Sequence, residues 1–246
     1  MHPEALPLRP TRWTDPRTAH AYATRLDRLD REVAWPALTP LLTNAQARHG
    51  LGRPDATVLE LGSGPGHYAR HLADEHWTAT YAVDVSPAIH RYGQQHLRDA
   101  WIRRIIPRRD GTLPLRRCQC TAALAHLVIC HIKQPAHILA LLTEARRALR
   151  PTAPLVLIEP GDRDHDFQLL RYGHPDATTH PEPGEPYPID YTLADTTRLR
   201  TTAYQHPPQL LADLIRRAGF KLDLIAPLAP PSGGPAPFTL WTAYAD

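Results

Sequence analysis

At 246 residues, 42% of them hydrophobic and 22% charged, the chain can bury a full core and fits one domain with a cap better than two domains. No apolar run is long enough to span a bilayer, and the opening thirty residues are charged and proline-interrupted, without the apolar stretch of a secretion signal, so a soluble, cytoplasmic protein is expected. A net charge of +3 is too mild to imply a nucleic-acid partner by itself.

The three cysteines, Cys118, Cys120 and Cys130, cannot all pair with one another and lie close together in a partly apolar stretch, which fits reduced thiols in a cytosol. Lys133 and Lys221 are the only lysines among 28 basic residues, a usage that points to a high-GC bacterial genome.

Residues 1 to about 50 hold helix-like patterns around 19–29 and 35–48 and are expected to form an N-terminal helical cap. From there to residue 246 short β-type runs alternate with helical stretches, the signature of an α/β protein with a mostly parallel sheet. The strands fall at 57–61, 80–85, 104–106, 122–128, 155–159, 221–226 and 238–244, and the helices at 67–76, 87–100, 135–149 and 208–218. The last two strands are joined by "APPSGGPAP" with no helix between, so they form an antiparallel hairpin. The expectation is a Rossmann-like, doubly wound, seven-stranded sheet that ends in that hairpin. A segment at about 161–207, rich in Pro, His and Asp, reads as a lid insertion.

The arginine pairs Arg103-Arg104, Arg108-Arg109 and Arg116-Arg117 flank the third strand. A basic groove for RNA is one reading. No aromatic residues interleave to stack on bases, so charge that guards an outermost strand against edge-to-edge pairing is the preferred one.

The chemistry-bearing stretch is "VLELGSGPGHYARHL", residues 58–72. Its glycines, Gly62, Gly64 and Gly66, are spaced G-x-G-x-G, and His67 follows where a dinucleotide fingerprint has its third glycine one step later. No Lys-Ser or Lys-Thr follows, which excludes a phosphate-gripping P-loop. Glu60 stands at the strand end, where a carboxylate suits a ligand with an ammonium or sulfonium group better than a pyrophosphate. Asp84, ending the next strand, can accept both hydroxyls of a ribose. In "RRDGTLPL", Asp110 can accept from an adenine amino group and the Gly111 backbone can serve the ring edge.

"VLELGSGPG", "AVDVSP", "DGTLPL", "LVICHI" and "LTEARRALRPTAPLVLIEP" resemble the successive motifs of class I S-adenosylmethionine-dependent methyltransferases, in particular the methyltransferase type 11-like small-molecule group. The resemblance runs over residues 56–160, and "RRAGFKLDLI" with the final hairpin extends it. It implies S-adenosyl-L-methionine as cofactor, with Glu60, Gly62, Ser63, Gly64 and Gly66 around the methionine part, Asp84 and Val85 at the ribose, Asp110 and Gly111 at the adenine, and Tyr22 as an N-terminal tyrosine closing over it. Two departures stand out. Cys120-Thr121 replaces the usual Phe-Asp, and Pro151-Thr152-Ala153 the usual Pro-Gly-Gly.

The resemblance also implies that His131 in "LVICHI" faces the methyl group as a general base, with a packed histidine as the alternative. His126 lies five residues earlier, on the opposite strand face or lining the cofactor shelf; His206 could face the acceptor. Asp162, Asp164, His165 and Asp166 are hard donors without defined ligand spacing, and no metal site is expected. The expected activity is methylation of oxygen, nitrogen or carbon on a small molecule, in bacterial secondary metabolism, by a monomer or homodimer. The alternative is a cofactor-binding auxiliary subunit or a cyclisation catalyst on the same fold. RNA or protein methylation is weaker, because no Asn-Pro-Pro-Tyr-type motif and no paired-glutamate loop occur.

Overall fold

The computed structural model of the chain describes residues 16–23, 30–48, 56–161, 184–192, 198–234 and 236–246. Seven strands form the main sheet: β1 (Thr57–Leu61), β2 (Ala79–Val83), β3 (Ile102–Ile105), β4 (Ala122–His126), β5 (Pro154–Pro160), β8 (Phe220–Leu228) and β9 (Phe238–Ala245). Between β5 and β8 in the chain come β6 (Pro186–Thr192) and β7 (Arg198–Tyr204), a separate two-stranded ribbon. The helices are α1 (Pro16–Ala23), α2 (Trp35–Arg48), α3 (His67–His76), α4 (Pro87–His96), α5 (Pro135–Ala148) and α6 (Pro208–Arg217). A π-helical turn, Asp30–Ala34, leads straight into α2, and a 3-10 turn, Ile129–His131, follows β4.

The main sheet runs in the order β3-β2-β1-β4-β5-β9-β8. Strands β1 to β5 pair in parallel, and β9 inserts antiparallel between β5 and β8, which is the expected closing hairpin. Because successive side chains in a strand point to opposite faces, each central strand feeds two cores. Leu59, Leu61, Ala123, Ala125, Leu155 and Leu157 join Leu142 of α5 and Ile215 of α6 on one face. Val58, Ala122, Leu124, Val156 and Ile158 join Leu38 and Leu42 of α2 and Leu72 of α3 on the other. The order reverses between β1 and β4, and their carboxyl ends open the crevice in which such sheets take ligands.

Several boundaries differ from the sequence expectation. Strand β2 stops at Val83 because the Asp84 carboxylate bonds the Ser86 amide at 2.8 Å and starts the cap of α4, whose Ser86 hydroxyl accepts from the Ile89 amide. Helix α4 ends at His96, not at residue 100, with Leu97 turned out of helical geometry and its carbonyl taken by Arg104. Strand β4 ends at His126, since Leu127 adopts a left-handed φ of 54° while its amide bonds the Ile158 carbonyl.

Within the segment read as a lid insertion, the described residues include two paired strands. Residues 186–192 and 198–204 pair as an antiparallel hairpin, with Tyr187, Thr201 and Ala203 buried. Asp162, Asp164, His165 and Asp166 lie outside the described residues, as does the chain before residue 16. Strand β3 is one of the two edge strands, as the arginine pairs imply, and no helix occurs between β3 and β4. At the two departures, Thr121 Oγ1 donates to the Thr57 carbonyl and accepts the Thr57 amide, both at 3.1 Å. Thr152 takes a φ of 61° in the turn before β5.

Candidate functional site

The turn from β1 to α3 is wound by Gly62, Gly64 and Gly66, all at positive φ. At Gly62 the need for glycine is also one of space, because a Cβ would stand 2.4 Å from Val128 Cγ2. The Ser63 amide donates to the Val83 carbonyl at 2.8 Å and the Gly64 amide to Asp84 Oδ2 at 3.0 Å, so the turn is moored to the end of β2.

Asp84 is buried. It accepts the Gly64 and Ser86 amides at 3.0 and 2.8 Å, and a carboxylate has further lone pairs with which to take hydroxyl donors. Burial raises its pKa, and the amide bonds oppose the shift. Val85 beside it is 63% exposed, an apolar surface next to the acid.

Glu60 is only 5% exposed, and its Oε2 has no hydrogen-bond partner among the described residues. Burial pushes its pKa up to about 8, against the pull of the Arg104 guanidinium. A buried carboxylate with an unmet acceptor is a receptor waiting for a donor. Around it lies a cleft of about 80 Å³ lined by Gly62, Ser63, Gly64, Tyr22, Trp35 and Tyr68, with Asp30 and His126 on the wall. Acid beneath aromatic faces suits a cation.

The cleft unites Tyr22, Glu60, Gly62, Ser63 and Gly64, with Asp84 bonded to its turn. It does not include Asp110 and Gly111. Those two sit on an exposed loop where Asp110 Oδ1 accepts both the amide (3.0 Å) and the hydroxyl (2.7 Å) of Thr112. Asp110 there lines a separate basic groove of about 850 Å³ with Arg103, Arg108 and Arg116. The Thr112 bonds hold the Asp110 carboxyl below its usual pKa.

His131 closes the 3-10 turn, with Nδ1 donating to the Thr202 carbonyl of β7 at 3.1 Å, a bond that selects the Nδ1–H tautomer. Burial lowers its pKa, so the ring is neutral at pH 7. Glu159 holds the turn itself, accepting the Ile129 and Cys130 amides at 3.2 and 2.9 Å, and burial pushes its pKa up to about 8. His206 is tied to the Ile132 carbonyl at 2.9 Å. His126, not His131, lines the cleft, with Nε2 3.4 Å from Asp30 Oδ1 and its ring edge-on to Phe238.

Sequence reasoning did not name Asp30, Trp35 or Tyr68 as site residues. Tyr68 carried a signal, since it follows the glycine turn in the first turn of α3, where Thr39 bonds its hydroxyl at 3.1 Å. Asp30 and Trp35 reach the cleft through the π-helical turn, which no pattern announced. Among the described residues, no group of three or more His, Cys, Asp or Glu could hold a metal ion, and no helix is long and apolar enough to cross a membrane.

Comparison with known proteins bears on the same residues. A family described as "Methyltransferase domain" matches residues 30–224, which spans β1 through most of β8. The N-demethylindolmycin N-methyltransferase of Streptomyces griseus is 26% identical over 232 residues, covering 92% of this chain and 94% of its own. Among solved structures, a SAM-dependent methyltransferase from Methanosarcina mazei superposes with a TM-score of 0.57 at 16% identity, covering 81% of this chain and 96% of that one. The glycopeptide N-methyltransferase MtfA complexed with sinefungin superposes at 0.58 and 17% identity, covering 82% and 84%. At those identities the two structures speak to the fold.

Proposed function

Since the chain belongs to the methyltransferase-domain family, we propose that it transfers a methyl group from S-adenosyl-L-methionine to a small-molecule acceptor. The observation that carries the reading is the buried Glu60 Oε2, lacking a partner in a glycine-wound cleft with aromatic walls. When bound, this cofactor supplies an electrophilic methyl group on a sulfonium. Glu60 receives its ammonium, the Gly62–Gly64 backbone approaches its methionine part, and Tyr22 closes over it. Asp84 takes the ribose hydroxyls with its remaining lone pairs, Val85 gives the sugar and base an apolar neighbour, and Asp110 with Gly111 serves the adenine edge.

The chain's chemical work is then alignment and water exclusion, with removal of one proton where the acceptor atom carries it. Our candidates for that proton are two histidines: His126 in the cleft beside Asp30, and His131 on the turn after β4, neutral and oriented by Thr202. The relation to the N-demethylindolmycin enzyme, aligned along most of both chains, supports nitrogen as the methylated atom. We assign the acceptor side to α1, α2 and the β6–β7 ribbon, for α1 contacts β7 and α2 contacts β4 and β5.

Calorimetric titration with S-adenosylmethionine and S-adenosylhomocysteine tests the cofactor. Transfer of a radiolabelled methyl to N-demethylindolmycin and to a panel of small amines tests the reaction. Micromolar binding and labelled product support the reading. Binding without transfer to any acceptor in a producer extract favours an auxiliary or non-transferring role, and absence of binding removes the reading altogether.

A further inference from the structure

Arg104 belongs to β3, an edge strand, where a solvated charge is the ordinary expectation. Its guanidinium turns inward instead. Nη1 donates to the Pro65 carbonyl in the middle of the glycine turn at 2.6 Å, and Nη2 donates to the Leu97 carbonyl at the end of α4 at 3.1 Å. One planar fork thus joins three elements that the chain separates by up to 39 positions.

Two glycines make room for it. A Cβ on Gly66 would lie 2.8 Å from Arg104 Nη1, and one on Gly93 would lie 2.5 Å from Cζ and 2.3 Å from the Pro65 carbonyl oxygen. Gly66 also has a positive φ of 91°. Gly93 does not; it sits inside α4, where glycine is a poor helix former, so close approach of the turn and the guanidinium is the reason for its presence. Arg104 stands in register with Ala82 of β2, which stands in register with Glu60 of β1, so the two side chains leave the same face of the sheet two strands apart, and the partly desolvated guanidinium acts on the Glu60 carboxyl, the acid with the unpartnered oxygen.

We propose that Arg104 is a positioning residue for the cofactor cleft: clamped between the glycine turn and the end of α4, it holds the turn in its binding shape and faces Glu60 with positive charge. Arg104 acts through Pro65 and Glu60 and makes no contact with the acceptor. The other titratable groups around Glu60 are Asp84 at the end of β2 and Tyr68 on α3, while Tyr22 of α1, Asp30, His67 and His126 of β4 line the same cleft. A lysine keeps the charge but not the fork, so the two halves of the role separate.

The clamp stands on geometry alone, whereas the effect on Glu60 rests on the reading that the cleft takes S-adenosylmethionine. Two measurements therefore go together. In the ligand-free protein, Arg104→Met speeds amide hydrogen exchange across residues 62–67 by about tenfold or more while β4 and β5 stay protected. Arg104→Lys does the same to a smaller extent and serves alone if the methionine variant does not fold. In calorimetric titration with S-adenosylhomocysteine, Arg104→Met weakens binding at pH 7 by about tenfold and moves the pH midpoint of binding up by roughly one unit. Arg104→Lys leaves that midpoint near the wild-type value. Unchanged exchange at residues 62–67 in both variants overturns the clamp, and an unmoved midpoint in Arg104→Met overturns the charge role. If the wild-type protein fails to bind S-adenosylhomocysteine, the charge role falls with the cofactor reading and the exchange experiment still decides the clamp.

Discussion

The Asp84 carboxylate accepts the Gly64 amide at 3.0 Å, so the acid at the end of β2 holds the turn at the end of β1. The acid proposed for the ribose is also a strut of the glycine turn. Asp84→Ala leaves the Gly64 and Ser86 amides without their acceptor, and S-adenosylhomocysteine affinity falls about 100-fold, equivalent to roughly 2.7 kcal/mol. Titration calorimetry checks this, and affinity within threefold of wild type would sink both roles.

Glu60 binds its proton more tightly in the folded chain than the model-peptide value of 4.5 allows, with a folded pKa of about 8. The native state therefore holds more protons than the unfolded state between those values, and stability falls as pH rises across that window. Glu159 acts in the same direction. Glu60→Gln leaves stability near wild type at pH 4 and raises it by about 1 kcal/mol or more at pH 8, seen in urea unfolding at the two pH values. An ammonium received by the ionised carboxylate also makes cofactor binding at pH 7 release a proton, which titration in buffers of different ionisation heat detects.

Gly62→Ala introduces a Cβ at 2.4 Å from Val128 Cγ2 on a backbone with φ of 61°. Both strain and overpacking act, and the substitution costs about 2–4 kcal/mol. Thermal unfolding reads the loss. A variant as stable as wild type would mean that the turn relaxes freely.

His131 ties the β6–β7 ribbon to the turn after β4 through the Thr202 carbonyl, and His206 adds a second tie through Ile132. His131→Ala costs about 1–2 kcal/mol, and amide exchange over residues 198–204 speeds up relative to the main sheet. Equal exchange rates would show that side-chain packing at Tyr187 and Ala203 holds the ribbon by itself.

The central parallel strands β1, β4 and β5 and the glycine turn were legible because both faces of those strands are largely apolar and because the turn has few backbone solutions. The β6–β7 ribbon was not legible. Pro186 and Pro188 punctuate its first strand, and prolines that end a central strand are tolerated in a two-stranded ribbon. The carboxylates differ in how far their positions follow from local sequence. Glu60 and Asp84 stand at strand ends, where position follows from the sheet; Asp110 stands on a loop, where its partner Thr112, two residues on, decides its direction. Arg104 was visible only as one of a basic pair, since nothing local distinguishes a guanidinium that reaches 39 residues back from one in solvent.

The π-helical turn at Asp30–Ala34 amounts to one residue more than regular α-helical winding needs. Each helical residue rotates the chain by about 100°, so removing one residue between Asp30 and Trp35 would swing Asp30 by about that angle around the axis while α2 kept its seat. Asp30 would leave its place 3.4 Å from His126 with no change in the composition of the cleft. For this wall, the count of residues matters as much as their kinds, and single-residue insertions or deletions here are a route by which acceptor preference could drift while the glycine turn stays the same.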